Sequence, residues 1–116
     1  MAGAENPNLL ALTVETKGEV VLVHCSGRLV AGTTAILNAQ IGKLLPGPKR
    51  IVLDLTHLTH VDSMGMGTLV RVYVTAKSHG CRLELINLAK QVRNLLSMAN
   101  LLSVFAVIGE SGITPM

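Results

Sequence analysis

Ten consecutive residues, Val61-Asp62-Ser63-Met64-Gly65-Met66-Gly67-Thr68-Leu69-Val70, hold the side chains best placed to do chemistry. A carboxylate stands next to a hydroxyl, two glycines follow, and a helical pattern then runs to about Ser78. Asp62 suits the N-cap, where its carboxylate accepts from the orphan N–H groups of a first turn. Ser63 then opens the helix, its hydroxyl beside unpaired backbone donors and the positive end of the dipole. A phosphate is welcome at such a position. Gly65 and Gly67 would keep side chains out of a turn that passes close to neighbouring backbone.

Other chemistries fail on spacing. Gly65-Met66-Gly67 begins like a dinucleotide fingerprint, but Val70 replaces the third glycine and nine residues separate the strand end at Leu55 from Gly65. Val61-Asp62-Ser63-Met64-Gly65 imitates a nucleophile elbow with valine in place of the first glycine, which that strained turn needs. No phosphate-binding G-x-x-x-x-G-K-[ST] loop occurs. His57, His60 and Asp62 lack a further ligand at metal spacing, so neither a metal nor a cofactor is expected. Ser63 remains as a hydroxyl that another protein phosphorylates, or as an ordinary helix-start serine.

Positioning these residues requires a frame, and the pattern supplies one. Leu12 and Val14 alternate with Thr13 and Glu15 as a half-buried strand, Lys17-Gly18 turns, and Val20 to Cys25 returns as a second strand ended by Ser26-Gly27. His24 is read as a sheet or core histidine. Thr33 or Thr34 caps a helix that buries Leu37, Ile41, Leu44 and Leu45, and Pro46-Gly47-Pro48 stops it. Ile51 to Leu55 is almost wholly apolar, the mark of a central strand covered on both faces. Thr56 to Val61 reads as a loop. The next helix is expected to bury Met66, Leu69, Val70 and Tyr73, with Arg71, Lys77 and Ser78 outside. Arg82 to Leu85 is a fourth strand, running on to Ile86 and Asn87. A third helix from about Ala89 carries Val92, Leu95, Leu96 and Ala99 on one stripe, and Val104 to Ile108 closes the pattern. The order ββαβαβαβ predicts an α/β fold with a single mixed, mostly parallel sheet of about five strands and helices packed on it.

Composition narrows the class. The 116 residues suit one domain, 1–116, with a core of about 11–108 and short tails at both ends. With 49% hydrophobic residues, 15% charged and only Tyr73 and Phe105 aromatic, the core is aliphatic and lacks stacking platforms for single-stranded nucleic acid. A net charge of +3 with scattered cations makes no nucleic-acid footprint. Cys25 and Cys81 are too few for a disulfide framework and read as small buried hydrophobes. The start lacks the basic and apolar regions of a signal peptide, and no apolar run approaches the ~20 residues of a membrane span. A cytoplasmic protein without direct membrane insertion is expected.

The chain resembles a STAS domain, the fold of the bacterial anti-sigma factor antagonists, from about Leu12 to Ile108. Asp62-Ser63-Met64-Gly65-Met66-Gly67 is similar to the family's D-S-[ST]-G-L-G around its phosphorylatable serine. Ile51 to Leu55 resembles the preceding strand, and Gly27-Arg28-Leu29 the G-x-L at the end of the second. Leu96-Ser97-Met98-Ala99-Asn100-Leu101 is similar to a late family turn, with Asn100 where glycine is usual. The resemblance implies a non-enzymatic, partner-switching regulator of transcription. Unphosphorylated, it would bind an anti-sigma factor of the serine kinase type and free a sigma factor; phosphorylation of Ser63 by that partner would release it, and a phosphatase would reset it. Asp62, Ser63, Met64, Gly65 and Met66, with Arg28 and Val30 from the Arg28 to Gly32 loop, would form the docking face, since both segments follow strand C-termini. Val30 stands where many antagonists carry an acidic residue, and Met64 leaves Ser63 the single hydroxyl beside the site. The alternative implied is a STAS interaction module never phosphorylated, such as a subunit beside a transporter or a lipid-trafficking complex.

Overall fold

A computed structural model describes residues 9–100 and the backbone of Ala106–Ile108. The elements are β1 (Leu10–Lys17), β2 (Val20–Leu29), α1 (Thr34–Leu44), β3 (Arg50–Val61), α2 (Ser63–Ser78), β4 (Arg82–Ile86), α3 (Lys90–Met98) and β5 (Ala106–Ile108). They form one five-stranded sheet in the order β1-β2-β3-β4-β5, with β1 antiparallel to β2 and every other pair parallel. The expected α/β fold and element order are observed. Val104, Phe105, Leu101 and both chain ends lie outside the described residues.

From β2 to β5 the chain steps across the sheet in one direction, so right-handed crossovers put α1, α2 and α3 on the same face. Alternation along the strands fits this. Val21, Val23 and Cys25 of β2, Ile51, Leu53 and Leu55 of β3, and Leu83 and Leu85 of β4 join the core with Leu37 and Ile41 of α1, Leu69 and Val72 of α2, and Val92 and Leu96 of α3. Val52 and Glu84, though buried, belong to the other face. Glu84 is held there by Arg50, whose Nη2 donates to Oε1 at 2.5 Å, and by Arg82, whose Nη2 lies 3.1 Å from Oε2. The central position of Ile51 to Leu55, paired with β2 on one side and β4 on the other, is as expected. Cys25 and Cys81 are free and buried, and loss of solvation together with the charge of Asp54 pushes the Cys25 thiol up to about 12.

Several local expectations need correction. Ser26-Gly27 does not end β2, nor is Thr56 to Val61 a loop. The two segments pair as Ser26↔His57, Gly27↔Leu58, Arg28↔His60 and Leu29↔Val61 through two shifts of register. Gly27, at φ 105°, supplies the backbone shape that this irregularity needs. Leu58 and Val61 point inward while Thr56, His57, Thr59 and His60 stay exposed. On α2 the buried stripe is Gly65, Thr68, Leu69, Val72 and Ala76; Met66, Val70 and Tyr73 flank it half-buried. On α3, Ala99 is exposed and follows the last helical residue. Leu44 and Leu45 are only half-buried. Thr33 precedes α1 without capping it, since its hydroxyl donates to the Arg28 carbonyl at 2.7 Å.

Candidate functional site at the N-terminus of α2

The end of β3 delivers Asp62 to the N-cap of α2 in an extended conformation, φ −103° and ψ −174°. Its Oδ1 accepts the Gly65 N–H at 2.8 Å, and the Asp62 carbonyl accepts the Met66 N–H at 2.9 Å. Oδ2 reaches across to the β2–α1 loop and accepts the Ala31 N–H at 3.0 Å. One carboxylate therefore starts the helix and ties down the neighbouring loop. The donated N–H of Gly65, and next that of Ala31, hold the Asp62 carboxyl below its ordinary value, so it is anionic at neutral pH.

Gly65 fixes how close α2 lies to β2. A Cβ built there would overlap the carbonyl oxygen of Leu29, which also accepts the Asp62 N–H at 3.4 Å. Gly67 has open space around it. The close approach read for both glycines holds for Gly65 alone.

Ser63 is exposed in the first turn, and its hydroxyl has no hydrogen-bond partner among the described residues. Met64 is 58% exposed and Met66 half-buried. Across from them, Arg28 and Val30 are half-buried, Arg28 Nη1 lies 3.4 Å from His60 Nδ1, and the Val30 N–H donates to Thr33 Oγ1 at 3.0 Å. The structure thus brings α2's first turn together with the end of β2, where Arg28 and Leu29 are strand and not the loop expected, and with the loop 30–32 that follows. Chemically, the arrangement offers an exposed hydroxyl beside the helix donors of Ser63 and Met64, with an apolar side chain at its edge.

Two features escaped the sequence. A cavity of about 340 Å³ opens between the end of β3 and the outer side of α3, lined by His60, Val61, Gln91, Asn94, Leu95 and Met98. Its one signal was Met98, an apolar residue off the stripe of α3 and 82% exposed. On the sheet, His24 is the sheet-face histidine expected, but its bridge was not foreseen: it lies 2.9 Å from both Glu15 Oε1 and Asp54 Oδ2. These acceptors, Glu15 first, raise the His24 pKa. Burial alone would raise that of Asp54, but the Thr56 hydroxyl and N–H, with Asn87 and His24, outweigh it and bring the carboxyl down to about 2.

The fold has close counterparts. An anti-sigma factor antagonist from Mycobacterium paratuberculosis superposes with a TM-score of 0.79 at 21% identity, covering 89% of this chain and 88% of that one. The Bacillus cell fate determinant SpoIIAA in its phosphorylated form matches with a TM-score of 0.66 at 19% identity, over 87% of this chain and 94% of that one. A STAS-domain containing protein of Pseudomonas aeruginosa strain UCBPP-PA14 is 24% identical over 90 residues, 78% of this chain and 89% of its own. The solved structures establish likeness of fold. The sequence profile of the STAS domain matches residues 11–111, and by that span the chain belongs to the STAS domain family.

Proposed function

We propose that the protein is an anti-sigma factor antagonist that acts by partner switching, as a single cytoplasmic domain without catalysis of its own. The observation that carries this is the Ser63 hydroxyl, exposed on the first turn of α2 and flanked by the exposed Met64. Unphosphorylated, the face formed by Asp62 to Met66 and by Arg28 and Val30 docks on an anti-sigma factor of the serine kinase type, which then gives up its sigma factor. Phosphorylation of Ser63 adds about −1.5 to −2 charges. At the N-terminus of α2 that charge is tolerated locally, so the domain keeps its fold. In the complex, a desolvated dianion loses hydration that the partner does not replace, and the complex dissociates. A phosphatase resets the cycle.

Among the described residues no helix is long and apolar enough to cross a membrane. The test is phosphate mapping by mass spectrometry on protein isolated from its own cells, with and without deletion of the kinase-type anti-sigma factor. Phosphate on Ser63 that disappears with the kinase supports the proposal. Ser63 unmodified under all conditions contradicts it and leaves an unswitched interaction module, the reading that transporter genes beside this one would favour.

A further inference from the structure

We infer that the partner docks through an acidic segment, and that the cavity beside α3 anchors an aliphatic side chain of that segment. The inference deepens the antagonist reading and rests on it for the identity of the partner.

The first observation is the distribution of charge. Around the site the basic side chains are Arg28 of β2 and Lys90 and Arg93 of α3, with the His60 imidazole beside Arg28 and in the cavity wall. Carboxylates are missing from 55–61, from 28–34 and from 87–100. Among the described residues Asp62 is the one acidic residue of this end, and backbone N–H groups occupy both of its oxygens. The other described carboxylates, Glu15, Glu19, Asp54 and Glu84, belong to β1, the β1–β2 turn and the paired stretches of β3 and β4. A surface of one sign selects a partner surface of the other and disfavours a like-charged one.

The second observation is the cavity, whose wall includes His60 and Val61, the residues that lead into Asp62. It is therefore continuous with the proposed docking face. Val61, Leu95 and Met98 supply an apolar floor, and His60, Gln91 and Asn94 a polar rim. Gln91 is fixed in place by donating to the Thr59 carbonyl. Met98, mostly exposed and unbranched, adapts to the side chain that covers it. A leucine-sized side chain fits the floor, and a carboxylate beside it meets Lys90 and Arg28. The same electrostatics give the switch its sign: a phosphate on Ser63 opposes an acidic partner.

The test uses the whole chain, ¹⁵N-labelled, titrated with acetyl-Asp-Leu-Leu-Asp-amide and with acetyl-Lys-Leu-Leu-Lys-amide. The expected result is amide shift changes confined to residues 28–30, 60–62 and 90–98 with the acidic peptide and none with the basic one. Arg28→Glu combined with Lys90→Glu is expected to weaken the acidic peptide about tenfold, as two reversed surface charges would. Met98→Ser, an exposed position that leaves the fold intact, is expected to reduce the shifts as well. Shifts with both peptides, with neither, or spread over the sheet overturn the inference. These outcomes are independent of phosphorylation: an acidic peptide that binds while Ser63 is never modified sinks the antagonist reading alone, and a modified Ser63 without peptide binding sinks the acidic partner alone.

Discussion

The carbonyl oxygen of Leu29, at the end of β2, occupies the space into which a Cβ on Gly65 would project. Helix α2 therefore rests on the backbone of the neighbouring strand, and this contact sets where Ser63 emerges. Gly65→Ala is expected to cost about 1–3 kcal/mol, because strand backbone cannot give way as a side chain does. Gly67→Ala meets nothing within reach and replaces a glycine inside a helix, so it should stabilise by about 0.5–1 kcal/mol. Urea denaturation of both variants checks the pair; effects of the same sign would contradict the packing described.

Glu84 tests the face of the sheet opposite α1, α2 and α3. Its carboxylate is 2% exposed, whereas the Arg50 and Arg82 side chains are 40% and 65% exposed and can return to water. Glu84→Gln is expected to lose about 1–3 kcal/mol through weakened hydrogen bonding of a buried group. Glu84→Met should be closer to wild type, since replacing a buried charge by an apolar side chain of similar size removes its desolvation cost. Equal destabilisation by both in urea denaturation would contradict this, since it would show that losing the carboxylate costs the same whether a polar or an apolar side chain replaces it.

The pH dependence of stability follows from His24. Its folded pKa is raised by Glu15 and then Asp54, so the folded state holds the proton more tightly than the unfolded chain. The stabilisation is complete below the unfolded value of about 6.5 and is lost as pH rises through the raised folded value. Because the side chain is 38% exposed, solvent keeps the effect small. Asp54 works in the opposite sense: with its carboxyl at about 2 against an ordinary 3.8, it stabilises above that ordinary value and ceases to as pH falls toward 2. Melting curves between about pH 6 and about pH 8.5 should decline more for the wild type than for His24→Gln. Parallel curves would remove His24 as the cause.

Met64 separates surface from core. At 58% exposure it lies outside the core cluster, so Met64→Asp should leave the melting temperature nearly unchanged while weakening attachment to the proposed anti-sigma factor partner. A fall in melting temperature comparable to that of a core substitution would show that the side chain is structural.

What the sequence revealed depended on whether the decisive interaction was local. The start of α2 was legible because a cap is formed by residues three apart, Asp62 and Gly65. The central strand was legible because Ile51, Val52, Leu53 and Leu55 are buried on both faces and leave a continuous apolar run. The extension of β3 through Thr56 to Val61 was not, since its partners at Ser26 to Leu29 lie about thirty residues away and are reached through shifts of register that no local pattern encodes. The phase of α2 was misread because two of its inward residues carry no hydrophobic signal. Gly65 packs through its lack of a side chain, and Thr68 is buried with its hydroxyl satisfied by the Met64 carbonyl at 3.0 Å. The residues proposed to dock, by contrast, stand in two short segments whose places at strand ends follow from the βα order, and the structure puts those segments side by side.

Calorimetry of the protein against the proposed anti-sigma factor partner, with Ser63 unmodified, phosphorylated, or replaced in Ser63→Ala and Ser63→Asp, tests the proposed switch most directly. Unmodified protein and Ser63→Ala should bind alike, Ser63→Asp more weakly, and phosphorylated protein more than about a hundredfold more weakly, equivalent to ~3 kcal/mol at the interface. Circular dichroism should show all four folded. Four indistinguishable affinities would contradict the phosphorylation switch at Ser63.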